Sequence, residues 1–330
     1  MGGCVSVDLD VGSIRGSGVR RRLTKHRSTP ASSIDELSAS DPVFAFRYKV
    51  VGKLLDLDMD TEVYEGLDSY TGKRVAVKVI RLKGEMSVYR RAELRRRYVD
   101  ETHILSCVSH RDIIGLVDYN EDGDKLIIIS EYAEGGDLLD KLASIGSLSE
   151  AESRGIISRL VDALEYLHDK NIVHRDVQPE NIVLRSNDDV RKVALTNFSL
   201  AAYCNSKSLT KKVGNPMFTA PEVIKGQPFG KSADIWALGV VLYILVNGSY
   251  PFYHVDHDKL NTAITSGQFN KLRPHVSDQA GDLIENLLCT DPRKRFSLQQ
   301  VKGHPWMLSN SESGEIMESL SHFSFDMEST

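Results

Sequence analysis

The feature that most constrains this chain is a change of hydrophobic period partway along it. Between Tyr48 and Glu131 lie short runs that read as strands: Tyr48–Leu55, Glu62–Glu65 and Arg74–Ile80, β-branched and alternating, then Gly115–Tyr119 and Lys125–Glu131. A period of two places one face of a strand in a core and the other toward solvent. One long charged helix, about Tyr89 to Val108, interrupts these strands. Beyond Asp137 the period becomes helical, and in Glu150–Lys170 the residues Ile156, Leu160, Ala163, Leu164 and Leu167 share one face. A strand-rich front with one helix, followed by a helical back, predicts an α+β fold of two lobes with a cleft between them.

Three regions separate by composition. Residues 1–43 are rich in Gly, Ser and Arg, lack periodicity and read as a disordered segment. Residues 44–308 carry the globular pattern, with a front lobe at 44–131 and a back lobe at 137–308; residues 309–330 form a Ser- and Glu-rich acidic tail. That tail contains neither an EF-hand loop nor a basic amphipathic helix, so direct calcium control through it is not expected. The formal net charge of -5 argues against a general nucleic-acid binder. Cys4, Cys107, Cys204 and Cys289 form no CxxC pair or metal-ligand spacing, which predicts thiols in a reducing compartment and no metal site. No apolar run reaches the length of a membrane span, and the longest, around Trp236–Val246, reads as a buried core helix.

A series of short motifs carries chemistry. Val75-Ala-Val-Lys78 lies on a strand, Glu101 on the long helix, and His174-Arg-Asp176 precedes Asn181 by five residues counted from the aspartate. Ala220-Pro-Glu222, Asp234-Ile-Trp236 and Arg295 follow in order. The series resembles the protein kinase family of the Ser/Thr type over about 260 residues. The wording of Glu131-Tyr-Ala-Glu-Gly-Gly-Asp137 is similar to the calcium/calmodulin-dependent kinase group. The resemblance implies a two-lobed kinase fold, with Lys78 on the nucleotide phosphates and Glu101 paired to it. It makes Asp176 the catalytic aspartate and Asn181 its loop partner. It puts Val63, Ala76 and Val183 around the adenine, Glu131, Ala133 and Asp137 along the nucleotide edge, and an internal pairing between Glu222 and Arg295.

The chain departs from that pattern where phosphate, metal or substrate would be held. The three glycine positions of the phosphate loop are Asp56, Asp58 and Thr61, so two carboxylates replace residues whose backbone N–H groups approach a polyanion. The metal-binding triplet reads Asn197-Phe198-Ser199, and a neutral amide oxygen gives up the charge a hard cation seeks. Gln178 stands where the catalytic loop has a lysine, and Asn215 where the activation segment has a threonine. Phosphoryl transfer depends on positioning and on neutralised charge, so these changes predict phosphotransfer lost or much reduced. ATP remains a candidate ligand, and Mg²⁺ is a doubtful one.

Met1-Gly2-Gly3-Cys4-Val5-Ser6 fits the pattern for myristoylation at Gly2, with Cys4 placed for palmitoylation. One acyl chain binds a bilayer weakly, and the basic run Arg15, Arg20, Arg21, Arg22, Lys25 and Arg27 supplies a second attraction to an anionic leaflet. Three expectations follow. The first is a membrane-tethered pseudokinase that serves a protein partner, another kinase or a substrate, as scaffold or allosteric regulator. The others are an active or weakly active Ser/Thr kinase and a metal-independent nucleotide switch. The expected location is the cytoplasmic face of a membrane, or otherwise the cytoplasm.

Overall fold

Alternation delivers the front lobe. The computed structural model describes residues 42–204 and 209–309. Its main sheet contains β1 (Tyr48–Asp56), β2 (Thr61–Asp68), β3 (Arg74–Arg81), β4 (Leu116–Asp122) and β5 (Lys125–Glu131). They pair antiparallel in the order β1-β2-β3-β5-β4. Along β3 the odd residues Val75, Val77 and Val79 join Tyr48, Val50, Ile127 and Ile129 in a small core on one face. Ile80, Leu126 and Ile128 point the other way, into the large core. The even positions of β3 therefore carry Ala76 and Lys78 to the side of the sheet that faces the rest of the molecule.

Two boundaries differ from expectation, each for a local reason. A short helix, α1 (Pro42–Arg47), begins two residues ahead of residue 44, where the globular pattern starts, and its Phe44 ring packs 4.9 Å from Tyr48. Strand β4 runs on through Asn120, Glu121 and Asp122, whose polar side chains hide a backbone paired to β5. The long helix α2 (Val88–Ser106) is capped by the Ser87 side chain, which accepts from the Arg90 N–H, and it buries Leu94, Tyr98, Glu101, Ile104 and Leu105.

The back lobe is built around α6 (Ser232–Asn247), in which every residue from Ala233 to Asn247 is buried. Such an all-round apolar helix belongs in the centre of a domain, as the run Trp236–Val246 predicts. Against it pack α4 (Glu150–Asp169), opened by a Ser149–Glu152 capping box, and α8 (Asp278–Leu287). The remaining helices are α3 (Leu138–Ile145), α5 (Pro221–Ile224), α7 (His257–Ser266), α9 (Leu298–Lys302) and α10 (Pro305–Leu308). Two small ladders, β6 (Ile172–Val173) with β9 (Ala202–Tyr203) and β7 (Ile182–Leu184) with β8 (Val193–Leu195), face the front lobe. The loop between β6 and β7 carries His174 to Asn181. Far below, Arg295 donates to both oxygens of Glu222 at 2.8 and 3.0 Å, with both side chains buried.

Candidate active site

The sheet and the helix bring the first pair together. Lys78 lies mid-strand between Val63 and Ile128, and Glu101 lies on the buried face of α2. The Lys78 ammonium donates to both Glu101 oxygens at 2.7 and 2.8 Å and reaches Asn197 Oδ1 at 3.4 Å. Leu105 and Phe198 are buried in the large core with Leu116 packed against it, and the Phe198 ring stands edge-on to His174 at 4.8 Å.

The central helix positions the loop below. The Asp234 carboxylate accepts the His174 and Arg175 backbone N–H groups at 2.9 and 2.8 Å and meets His168 Nε2 at 2.9 Å. Burial works against its ionisation, yet these donors hold its carboxyl below the ordinary range. His174 is fully buried, and burial pushes its imidazole pKa down, toward the neutral form. Arg175 has φ +65° and donates Nε to Leu200 O at 2.5 Å, turning the chain so that the next residue, Asp176, faces the cleft.

Both oxygens of Asp176 are engaged. Oδ2 accepts from Asn181 Nδ2 at 2.6 Å, and Oδ1 accepts from Gln178 Nε2 at 3.1 Å. Each contact continues as a row of amides. Asn181 Oδ1 accepts from Asn197 Nδ2 at 3.1 Å, and Asn197 Oδ1 faces Lys78. On the other side Gln178 Oε1 accepts from Asn215 Nδ2 at 3.0 Å, and Asn215 Oδ1 accepts the Met217 N–H at 3.1 Å. Charged ends fix the amide orientations: an ammonium selects the oxygen of Asn197, and a carboxylate selects the nitrogen of Asn181.

This donor set does not fit a divalent metal. Mg²⁺ favours one or two carboxylates among its oxygen ligands, whereas position 197 offers a neutral amide whose oxygen faces a lysine and whose nitrogen donates to the Asn181 oxygen. Ser199 follows in the short turn Phe198–Leu200.

The roof over the cleft is closed by its own charges. Asp56 pairs with Lys53 at 2.6 Å, so its charge is taken up within β1. Asp58 Oδ1 accepts the Asp60 N–H at 2.8 Å, and Leu57 N–H donates to Thr61 O at 2.9 Å, which makes a tight turn. The tip is then tied to the start of α2, with Asp60 at 3.1 Å from Arg90 and the Met59 carbonyl at 2.6 Å from Lys83 Nζ. Glu62 bonds Lys53, Arg81 and Tyr64, and although burial opposes it these partners bring its pKa down to about 2. Asp56 is thus paired with a cation, whereas Asp58 accepts a backbone N–H and keeps its charge.

Val63, Ala76 and Val183 are partly buried, with Ala76 between Glu65 and Ser130 in the sheet and Val183 paired to Ala194. The Glu131 side chain turns to the Gly115 N–H at 3.2 Å and Arg185 at 3.1 Å. Ala133 lies in the connector between the lobes, and Asp137 caps α3 by accepting the Asp140 N–H at 2.8 Å. The Gln178–Asn215 bond and the Asp60–Arg90 tie were not foreseen from sequence. Gly2, Cys4 and the basic run Arg15–Arg27 lie outside the described residues.

The fold and this cleft define a two-lobed domain of the protein-kinase type. The chain belongs to the protein kinase family, and the protein kinase domain profile matches residues 60–307. It is 34% identical over 223 residues to a calcium/calmodulin-dependent protein kinase type 1 of Macrobrachium nipponense, covering 67% of this chain and 65% of the relative. Over 258 residues it is 34% identical to myosin light chain kinase A of Dictyostelium discoideum, covering 77% of this chain and 86% of that one. The mouse Ser/Thr-protein kinase DCLK3 is 40% identical over 213 residues, which cover 63% of this chain and 27% of that protein. The chain thus spans 60–65% of the length of the calcium/calmodulin-dependent relatives it matches.

Proposed function

We propose that this protein is a pseudokinase, tethered to the cytoplasmic face of a membrane through Gly2, Cys4 and the basic run at Arg15–Arg27, acting as a signalling scaffold or allosteric regulator of a protein partner such as another kinase. The observation that carries the loss of phosphotransfer is the Asn197–Asn181 bond at 3.1 Å, where the family pattern has a metal-binding carboxylate. A transferring phosphoryl group needs its charge neutralised, and Lys78 is the one cation this cleft retains at the family's phosphate-binding positions. Membrane attachment is supported by the N-terminal pattern and its adjacent cations. Among the described residues no helix is long and apolar enough to cross a bilayer.

A second reading, a weakly active Ser/Thr kinase, is favoured by the Lys78–Glu101 pair at 2.7 Å, an arrangement suited to orienting a nucleotide phosphate. A thermal-shift titration of the full chain with ATP, with and without Mg²⁺, separates these readings when run beside a transfer assay on a basic protein substrate. Ligand at a hundred times its dissociation constant adds about 2.7 kcal/mol. We expect transfer at background, and any ATP shift to be the same with and without Mg²⁺. A shift without transfer identifies a metal-independent nucleotide switch, and no shift leaves the scaffold. A Mg²⁺-dependent shift with transfer abolished by Asp176→Asn overturns the pseudokinase reading.

A further inference from the structure

We infer that Gln178 and Asn215 act as one unit, a donor-to-acceptor pair of neutral amides that fixes Asp176 to the turn Pro216–Phe218 with no cation between them. The inference is independent of whether phosphate is transferred, since it concerns how two segments are held together.

The orientation of Asn215 is set from its far side. Its Oδ1 accepts the Met217 N–H at 3.1 Å and so caps the turn, while its backbone carbonyl accepts from Thr219 Oγ1 at 2.9 Å. Met217, Phe218 and Thr219 are all buried, so the turn cannot easily swing to another arrangement. With Oδ1 committed to the cap, Asn215 presents Nδ2, two N–H donors, to residue 178. Residue 178 must therefore accept at that end. At its other end it must donate, because it meets the Asp176 carboxylate at 3.1 Å.

Glutamine supplies both ends at the required length, with an oxygen for Asn215 and an NH₂ for Asp176. A lysine has three donors and no acceptor, so it would satisfy Asp176 and oppose the Asn215 NH₂. To relieve that opposition Asn215 would have to turn its oxygen toward the lysine and abandon the Met217 cap. A glutamate would accept from Asn215 but set a second carboxylate against Asp176. The glutamine is thus more than a missing lysine. Given asparagine at 215, it is the side chain that closes the link. Both residues are positioning residues, acting on Asp176 and on the turn.

A double-mutant cycle on the full chain tests this. Gln178→Lys alone is expected to lower the thermal midpoint by roughly 2 °C or more. It should also speed exchange of the Met217 amide proton, read by NMR, by about tenfold, equivalent to about 1.4 kcal/mol of lost protection. Adding Asn215→Thr should return both quantities toward the wild type, because a threonine hydroxyl can accept from the lysine. If Gln178→Lys does not fold, Asn215→Asp supplies the same test. Alone it sets oxygen against oxygen at Gln178 and should destabilise, and Gln178→Lys added to it should restore stability by donating to both carboxylates. Rescue in either cycle, with Met217 exchange following it, supports the pair. Additive effects of the single changes, with Met217 exchange unmoved by Gln178→Lys, would overturn it.

Discussion

Asn197 has φ +62°, in the left-handed region that asparagine tolerates better than most side chains. Its side chain donates to Asn181 and accepts from Lys78. Asn197→Asp would remove the donor and add a third carboxylate to a cleft that holds Glu101 and Asp176, with Lys78 bonded to residues 101 and 197. The loss should be about 1–3 kcal/mol in the absence of metal, from the Asn181 oxygen left without its donor. Millimolar Mg²⁺ should return part of it, while leaving the wild-type midpoint unmoved. Thermal unfolding of both proteins with and without Mg²⁺ checks this, and a variant indifferent to the metal would show that more than one residue excludes it. At this scale Lys78, Glu101, Asp176 and Asn181 were legible because each belongs to a short motif at recognisable spacing. The bond between Gln178 and Asn215 was not, because it joins residues 37 positions apart and depends on which way an amide is turned.

At the scale of elements, legibility followed apolar patterning. Helix α4 buries its predicted face, and β5 has the expected bounds, Lys125–Glu131, because its run of Leu126 to Ile129 is continuously apolar. Where charge replaces pattern, as at the end of β4, alternation predicts too short a strand, and a boundary placed on composition falls inside the short helix α1. Contacts between elements lay further out of reach. Gly239 of α6 is an example, since a Cβ there would stand 2.7 Å from Leu287 Cβ, the last residue of α8, and 3.0 Å from Cδ2 of Leu288, which caps it. The glycine lets two helices meet closely in a core with no slack. Gly239→Ala is expected to cost about 1–3 kcal/mol despite alanine's better helix propensity, because overpacking outweighs it. Urea unfolding should show a lower midpoint with an unchanged slope. A neutral or stabilising result would mean that α6 and α8 can move apart freely.

Across the whole molecule, the catalytic loop is tied to the core through one neutral imidazole and one ionised carboxylate, and this sets how stability varies with pH. His174 Nδ1 accepts the Asp176 N–H at 3.3 Å, so Nε2 carries the proton and donates to Thr196 O at 3.1 Å. Protonating Nδ1 would set N–H against N–H in a fully buried site, which agrees in direction with its lowered pKa. In the unfolded chain the same imidazole titrates near 6.5. Above that pH both states are neutral and His174 adds no pH dependence. As pH falls below it the unfolded state binds a proton that the folded state refuses, so stability declines by up to about 1.4 kcal/mol per pH unit. That loss ends where pH passes the lowered folded pKa. Asp234 acts in a more acidic window. Its folded pKa is also lowered, from 3.8, so its contribution is present above 3.8 and lost as pH falls through the folded value. The Glu62 network, with its carboxyl at about 2, behaves in the same way. Stability measured by urea unfolding should therefore be flat just above pH 6.5, begin to fall below it, and steepen below about pH 4. His174→Phe keeps a ring beside Phe198 but leaves the Thr196 carbonyl without its donor. It should lower stability at pH 7 while flattening the slope between about pH 6.5 and 5. An unchanged slope in that variant would assign the titration to another histidine, and the loop would then owe its acid sensitivity to Asp234 alone.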